Sequence, residues 1–210
     1  MRISVALVLS SVSLTATGVA SAESSEVRES PASKPVQRSD FTIGASGGFG
    51  FGRAAGYPNE IQKIGAKDFR SNTKLGLGSG GAVWLGVAFN DYLTFGLGMG
   101  GLGLSGNDRE ASAAAFLFHV DVYPLFDVHE SLRDFGVFTN LGTGPLQIKG
   151  GAEEADGGLM AYVEGGLVYE RLRLWHFGIG PSVSLIHMWS DSATLTGALV
   201  GGRIAFYGGP

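Results

Sequence analysis

Residues 74–104 read KLGLGSGGAVWLGVAFNDYLTFGLGMGGLGL, in which Lys74 and Asp91 are the only charged residues. A stretch so apolar and so rich in glycine admits three interpretations: a membrane helix, a glycine loop that binds a phosphate, or a pair of β-strands. Glycine inside a helix costs about 1 kcal/mol relative to alanine, which weighs against a helix here. Glycine also recurs at every second position over much of the stretch, and this is the period of a strand.

The glycine-loop interpretation depends on Gly96, Gly98 and Gly101, which satisfy the pattern G-x-G-x-x-G. That pattern indicates a dinucleotide site only where it follows a strand and opens a helix. Here it leads into Leu102-Gly103-Leu104 and a polar turn. The sequence therefore predicts no nucleotide site.

A β-hairpin explains both the bulky and the small residues of this stretch. Alternate positions form one bulky row and one small row, and Trp84 is the large exception in the small row. A three-residue turn, 90–92, would set Phe89 opposite Leu93 and keep the bulky row on one face. That row consists of Leu75, Leu77, Val83, Leu85, Val87, Phe89, Leu93, Phe95, Leu97 and Met99.

The second row of the hairpin is small rather than polar, which is unusual for a soluble sheet. A soluble antiparallel sheet turns bulky residues to its core and polar residues to water. A closed barrel in a membrane fits better, because large side chains would face lipid and small ones would fit a narrow lumen.

The same alternation recurs along the chain and predicts eight strands. Eight is an even number and the smallest count for a closed membrane barrel, and the predicted connections alternate between longer and shorter. The sequence therefore predicts an all-β fold, an eight-stranded antiparallel up-and-down transmembrane β-barrel over residues 40–208. The predicted strands are 40–51, 75–89, 93–104, 112–126, 132–144, 158–170, 174–188 and 193–206.

The first 39 residues predict export. Arg2 precedes an apolar core, 3–14, and small residues lead to Ala22, which is the pattern of a secretory signal cleaved after that residue. Residues 23–39 are rich in Ser, Pro and charge without periodicity, so they predict a disordered periplasmic leader. The domains are thus a signal peptide at 1–22, a leader at 23–39 and the barrel at 40–208.

In strand number, loop alternation and rim aromatics, residues 40–208 resemble the small outer-membrane β-barrel family, the eight-stranded type of the OmpA transmembrane domain, OmpX and OmpW of Gram-negative bacteria. The resemblance implies a monomer in the cell outer membrane that contacts outer-membrane lipid and lipopolysaccharide and is inserted by the outer-membrane assembly machinery. On that topology an aromatic girdle lies near the periplasmic rim. Its expected members are Phe89, Tyr92, Phe126, Tyr169, Trp175, Phe206 and Tyr207.

Several polar residues occupy the same alternate strand positions as the small row, so their side chains should point into the lumen. These residues are the candidate site. Because charges in a narrow lumen need partners, we expect an ion pair between Arg203 and either Asp121 or Glu164. Such a group is either a plug that fixes register, or a charged constriction or a proton-sensitive gate involving His119. The cluster consists of His119, Asp121, Glu164, His176 and Arg203.

Composition narrows the function. Only 16% of residues are charged, with a formal net charge of −4, so no nucleic-acid partner is expected. Cysteine is absent, which excludes thiol catalysis and disulfides. The sequence predicts no cofactor, no metal and no catalytic residue. Together with the barrel pattern, this predicts a non-enzymatic integral outer-membrane protein. Its role would be either structural and surface-displaying or that of a narrow porin-like channel for small solutes.

Two other functions remain open, and one loop bears on partners. His187 and Ser190 loosely resemble the His and Ser of barrel enzymes that modify lipid A, which suggests a lipid-modifying outer-membrane enzyme. A secreted soluble β-barrel that binds an apolar ligand is the other alternative.

In the first loop, the basic residues outnumber the acidic ones. They either contact lipopolysaccharide phosphates or are merely solvated. These residues are Arg53, Lys63, Lys67 and Arg70 against Glu60 and Asp68.

Overall fold

The computed structural model describes residues 38–57, 70–150 and 155–209. The signal peptide, most of the leader and the first-loop residues Glu60, Lys63, Lys67 and Asp68 lie outside these ranges. Eight long strands are β1 (Asp40–Gly56), β3 (Gly76–Asn90), β4 (Leu93–Gly106), β5 (Arg109–Val122), β6 (Phe135–Lys149), β7 (Ala155–Tyr169), β9 (Phe177–Trp189) and β10 (Ala193–Tyr207). Two short ones are β2 (Ser71–Asn72) and β8 (Leu172–Leu174).

The long strands form a closed antiparallel barrel. Each pairs with the next in the order β1, β3, β4, β5, β6, β7, β9, β10, and β10 pairs back onto β1. The prediction of a closed eight-stranded barrel is therefore confirmed. We call the end where β1 begins and β10 ends the near end, and the end that carries the β4–β5 turn the far end.

The two predicted faces of the strands are the two sides of the barrel wall. Leu77 and Leu85 are 68% and 57% exposed on the outside, whereas Trp84 between them is 3% exposed and points into the lumen. The outer surface is apolar and the lumen is filled by side chains. An apolar outer surface is the opposite of what a soluble protein shows, and it is typical of lipid-facing barrels.

Trp84 occupies the lumen because its neighbours are glycines. The ladder pairs Trp84 with Gly44 on β1 and with Gly98 on β4. A Cβ atom at Gly44 would lie 2.2 Å from the indole of Trp84. Glycine on both sides therefore makes room for the one bulky residue in the small row.

The turn between β3 and β4 differs from the prediction. Asn90, not Phe89, pairs with Leu93, and the register shifts between Ala88 and Asn90, so Phe89 lies in a β-bulge. The Asn90 carboxamide oxygen accepts hydrogen bonds from the backbone N–H of Tyr92 and Leu93. This Asx-type capping tightens the turn by one residue, while Phe89 and Leu93 still both face outward.

The strands reach further at the far end than the sequence predicts. β1 continues to Gly56 and is extended by pairing with β2, and β6 continues through Pro145 to Lys149. Pro145 suggested a loop because proline cannot donate to a ladder. It is accommodated where the β6–β7 register shifts between Pro145 and Gln147.

At the near end the predicted strands 112–126, 132–144 and 174–188 overreach. β5 ends at Val122, a single 3-10 turn occupies Glu130–Leu132, and β6 starts only at Phe135. β8 and β9 form a separate tight hairpin, with Leu174 paired to Phe177 and Trp175 at φ +57°.

No helix in residues 38–57, 70–150 and 155–209 combines the length and the apolar character needed to cross a membrane.

Candidate functional site

The lumen has an apolar half toward the far end. Large aliphatic side chains from β4, β5, β6, β7 and β9 meet there with almost no exposed surface. Interiors packed in this way leave few voids larger than a water molecule. The set comprises Leu102, Leu104, Leu117, Leu146, Ile148, Met160, Ile186 and Met188.

Arg203 and Asp121 form the centre of the polar half toward the near end. The two Arg203 Nη atoms donate to the two Asp121 carboxylate oxygens at 2.6 Å each, and both side chains are buried. β5 and β10 are four strands apart in either direction around the barrel. The ion pair therefore spans the lumen, and Asp121 is the partner, rather than Glu164.

His119, Asn140 and Glu164 form a row beside this pair. They are direct neighbours on β5, β6 and β7. His119 Nδ1 lies 2.6 Å from Asn140 Oδ1, and Asn140 Nδ2 donates to Glu164 Oε2 at 2.7 Å. His119 Nε2 lies 3.1 Å from Asp121 Oδ1, which joins the row to the ion pair.

Trp84 packs against both parts of this network. Its ring is stacked on His119 with centroids 4.2 Å apart, and the Arg203 guanidinium lies 4.5 Å from the Trp84 ring centroid. Such stacking suits cations on an aromatic face. Trp84 thus fixes the positions of both His119 and Arg203.

Glu164 is held by neutral groups rather than by a cation. Besides Asn140, the hydroxyls of Tyr162 and Ser184 donate to its carboxylate at 2.9 and 2.6 Å. Among the described residues no cation lies within ion-pair distance of it. A cavity of only about 10 Å³ adjoins Glu164 and Ser184, which is at most the space of one water molecule.

A second ionic layer lies at the near end, and the sequence does not predict it. Arg38 Nη2 lies 3.1 Å from Asp134 Oδ1 and 3.6 Å from Glu170 Oε2, with Arg38 and Glu170 fully buried. Arg173 shares both carboxylates at 3.1 and 3.4 Å. Arg203 Nε lies 3.1 Å from Glu170 Oε1, so the two layers are continuous.

Aromatic hydroxyls complete this layer. Tyr207 donates to Glu170 Oε2 at 2.9 Å, its hydroxyl lies 3.2 Å from that of Tyr123, and the Arg38 guanidinium lies 3.5 Å from the Tyr123 ring centroid. Burial and the nearby Glu170 carboxylate raise the pKa of Tyr123 well above its ordinary value. Burial lowers the pKa of Arg38, but the surrounding phenols and carboxylates outweigh it and raise that pKa, so Arg38 stays charged.

The sequence contains little that predicts this ionic layer. The sequence predicts Arg38 within the disordered leader, yet residues 38 and 39 belong to the packed near end. Glu170 and Asp134 fall at the ends of predicted strands, where alternation does not fix whether a side chain points inward or outward. Only the clustering of three acidic or basic residues, 170, 171 and 173, after β7 pointed to this place.

His176 does not belong to the lumen. It lies in the β8–β9 turn, is exposed, and its Nδ1 is 2.9 Å from the Gly209 carbonyl oxygen. Parity failed because residues 174–188 are not one continuous strand. The other four predicted residues, His119, Asp121, Glu164 and Arg203, are all buried in the lumen.

The seven residues of the predicted aromatic girdle differ in their exposure. All seven residues lie at the near end, and Phe89, Tyr92 and Trp175 are exposed on the outside. Tyr169 and Phe206 are half-buried. Phe126 and Tyr207 are corrections, because they are 4% and 1% exposed and so do not present their rings at the surface.

The geometry of His187 and Ser190 does not resemble a catalytic pair. His187 Nδ1 lies 2.8 Å from Thr196 Oγ1, and Ser190 Oγ caps the β9–β10 turn by accepting from the backbone N–H of Ser192 and Ala193. No hydrogen bond joins His187 to Ser190. Within the described ranges, no three His, Asp or Glu side chains are grouped to hold a metal ion.

Comparisons with known proteins bear on the fold alone. No protein-family model and no curated protein matches this sequence. Ail, the attachment invasion locus protein of Yersinia pestis, is similar in structure with a TM-score of 0.51 and 11% identity, over 80% of this chain and 99% of Ail. Neisserial surface protein A gives 0.49 and 10% over 79% and 96%, and OprG of Pseudomonas aeruginosa gives 0.39 and 12% over 81% and 98%. Through its likeness to Ail, the chain is shown to share the fold of small eight-stranded outer-membrane barrels.

Proposed function

We propose that this protein is an integral, non-enzymatic β-barrel of the Gram-negative outer membrane that acts as a closed anchor and displays its far-end connections. The observation that carries the proposal is the apolar outer wall, on which bulky rows of side chains are exposed around a filled lumen. Rows of Leu, Val and Phe around a closed barrel suit hydrocarbon tails. The fold likeness to Ail, whose name refers to attachment and invasion, is compatible with a surface role.

The filled lumen favours an anchor over a channel. A solute would have to displace the packed aliphatic half and then the Arg203–Asp121 pair that spans the polar half. A water-filled pore instead needs a continuous polar interior. The same packing opposes a soluble ligand-binding barrel, because ligand pockets of that kind measure roughly 300–1,000 Å³.

The membrane assignment brings further proposals with it. We infer export by a cleaved signal peptide, insertion by the outer-membrane assembly machinery, and a monomer in contact with outer-membrane lipid and lipopolysaccharide. The closed ladder supports the monomer, since each of the eight long strands already has two partners.

Two measurements test the proposal. The full chain expressed in a Gram-negative host is expected in the outer-membrane fraction, with an N-terminus at Glu23. Purified protein in planar bilayers is expected to show no step conductance under conditions in which a known porin conducts. Recovery in the soluble periplasmic fraction would contradict the anchor, and stable conductance steps would restore the channel.

A further inference from the structure

The apolar surface of the barrel ends abruptly on one side of the far end. On the outer wall, Phe51, Ala198 and Leu185 form one cross-strand row of β1, β10 and β9. The next outward row, two residues further along each strand, is Arg53, Thr196 and His187. An apolar row is thus followed directly by a polar, cationic one, as at the boundary between hydrocarbon and headgroups.

Two adjoining recesses lie over this boundary. One has a volume of about 260 Å³ and is lined by Arg53, Arg70, Asn72, His187 and Thr196, among others. The second measures about 520 Å³ and shares Arg53, Asn72 and Thr196 with the first, adding Lys74 and Leu75. Arg53 stands between the two recesses, so a single group bound there would meet cations from both.

The described part of the recess lining is positively charged. Within the described ranges, no carboxylate lies within ion-pair distance of Arg53, Arg70 or Lys74. Two neutral side chains in the lining are also held in place. Asn72 Oδ1 accepts a hydrogen bond from the Lys74 backbone N–H, which leaves Asn72 Nδ2 as a donor. His187 Nδ1 lies 2.8 Å from Thr196 Oγ1. Guanidinium groups match phosphate oxygens in a planar, bidentate geometry.

We propose that this recess binds the phosphate group of a membrane lipid, with the lipid chains lying on the apolar wall next to it. The lipid is favoured over free phosphate because exposed Phe51, Leu75 and Leu185 border the cations and continue toward the near end. Trp189, which is stacked beside His187 and 43% exposed, lies one outward row further toward the far end, as an interfacial aromatic residue would. The inference rests on the proposed function and adds a ligand class to it.

The test uses the full barrel in micelles of an uncharged sugar detergent, titrated with three probes and followed by native mass spectrometry. The probes are phosphatidic acid, diacylglycerol with the same chains, and inorganic phosphate. We expect binding of phosphatidic acid at least about tenfold tighter than of the other two, since charge-assisted pairs are strong and each factor of ten needs about 1.4 kcal/mol.

The variant Arg53→Gln/Lys74→Gln should lose about tenfold in affinity for phosphatidic acid. The control Lys149→Gln removes an exposed far-end cation on β6, away from the recess, and should bind like the wild type. Unchanged electrophoretic heat-modifiability of each variant shows that the barrel has folded.

Equal binding by wild type and the double variant would overturn the site, as would equal binding of diacylglycerol. Equal binding of inorganic phosphate and phosphatidic acid would contradict the proposal that the bound phosphate group belongs to a lipid. The membrane role is judged separately, by insertion of the same proteins into vesicles. A barrel that inserts but does not prefer phosphatidic acid contradicts this site alone, whereas failure to insert contradicts the proposed function.

Discussion

Arg203 on β10 and Asp121 on β5 lie on opposite walls of the barrel and meet across the lumen through two hydrogen bonds of 2.6 Å. Each long strand otherwise contacts mainly its ladder neighbours. The pair therefore joins opposite sides of the barrel wall directly through the lumen.

Removing one member of this pair should be costly. Arg203→Met leaves the Asp121 carboxylate buried without its main partner, and loss of a partner from a buried ion pair costs about 3–5 kcal/mol. The free energy of unfolding, measured by urea titration of the refolded barrel in lipid vesicles, should fall by about that amount. The double variant Arg203→Met/Asp121→Leu should recover most of the loss, and a single-variant loss below about 1 kcal/mol would show that the pair contributes little.

Gly44 provides a test of packing against Trp84. Gly44→Ala places a Cβ atom 2.2 Å from the Trp84 ring, and overpacking of this kind costs about 1–3 kcal/mol. Gly165→Ala is the matched control, because a Cβ at that exposed glycine meets no atom within 4 Å. The two urea midpoints should differ clearly, and equal midpoints would mean that Trp84 is free to move.

Much of this architecture could be predicted because alternation reports on both faces of a strand. Leu85 and Trp84 were assigned to opposite sides correctly, since period two leaves no other choice in an uninterrupted strand. The same reasoning failed for His176, since a tight hairpin at Trp175 interrupts the period. It also failed for Phe126, which follows the end of β5 and is buried.

The near-end layer could not be predicted for a different reason. Arg38 and Glu170 lie outside the regular strands, where no period fixes the direction of a side chain. Their contact joins residues far apart in the chain and depends on barrel closure, so only the folded structure brings them together. Sequence alone predicted that Arg203 needs an acid but did not distinguish Asp121 from Glu164.

Tyr207 tests the near-end layer. Tyr207→Phe removes a hydrogen bond of 2.9 Å to the buried Glu170 carboxylate, and hydrogen bonds to charged groups contribute about 1.5–3 kcal/mol. Tyr169→Phe, which removes a bond from an exposed hydroxyl to the Ser131 carbonyl oxygen, is the comparison. Unfolding of the Tyr207 variant should require clearly less urea, and equal effects would place Tyr207 outside the buried layer.

Substitutions of Glu164 distinguish a structural role of the lumen network from a role as a gate. Glu164→Gln should change stability by less than about 1 kcal/mol, because the Ser184 hydroxyl can turn to accept from the new amide. Glu164→Ala leaves Asn140, Tyr162 and Ser184 without their acceptor and should cost about 1–3 kcal/mol. Conductance that appears in either variant while the barrel stays folded would support a gate instead.

The contact between the outer rows and lipid chains is tested most directly by quenching of tryptophan fluorescence with lipids brominated at mid-chain. Two single-tryptophan proteins are compared in vesicles: one keeps only native Trp84, which is 3% exposed, and the other carries Trp84→Phe and Leu85→Trp, at a position 57% exposed on the outer wall. Both have phenylalanine at positions 175 and 189. We expect strong quenching at position 85 and little at position 84. Equal quenching at the two positions, or none at 85, would contradict a barrel whose bulky rows face the hydrocarbon.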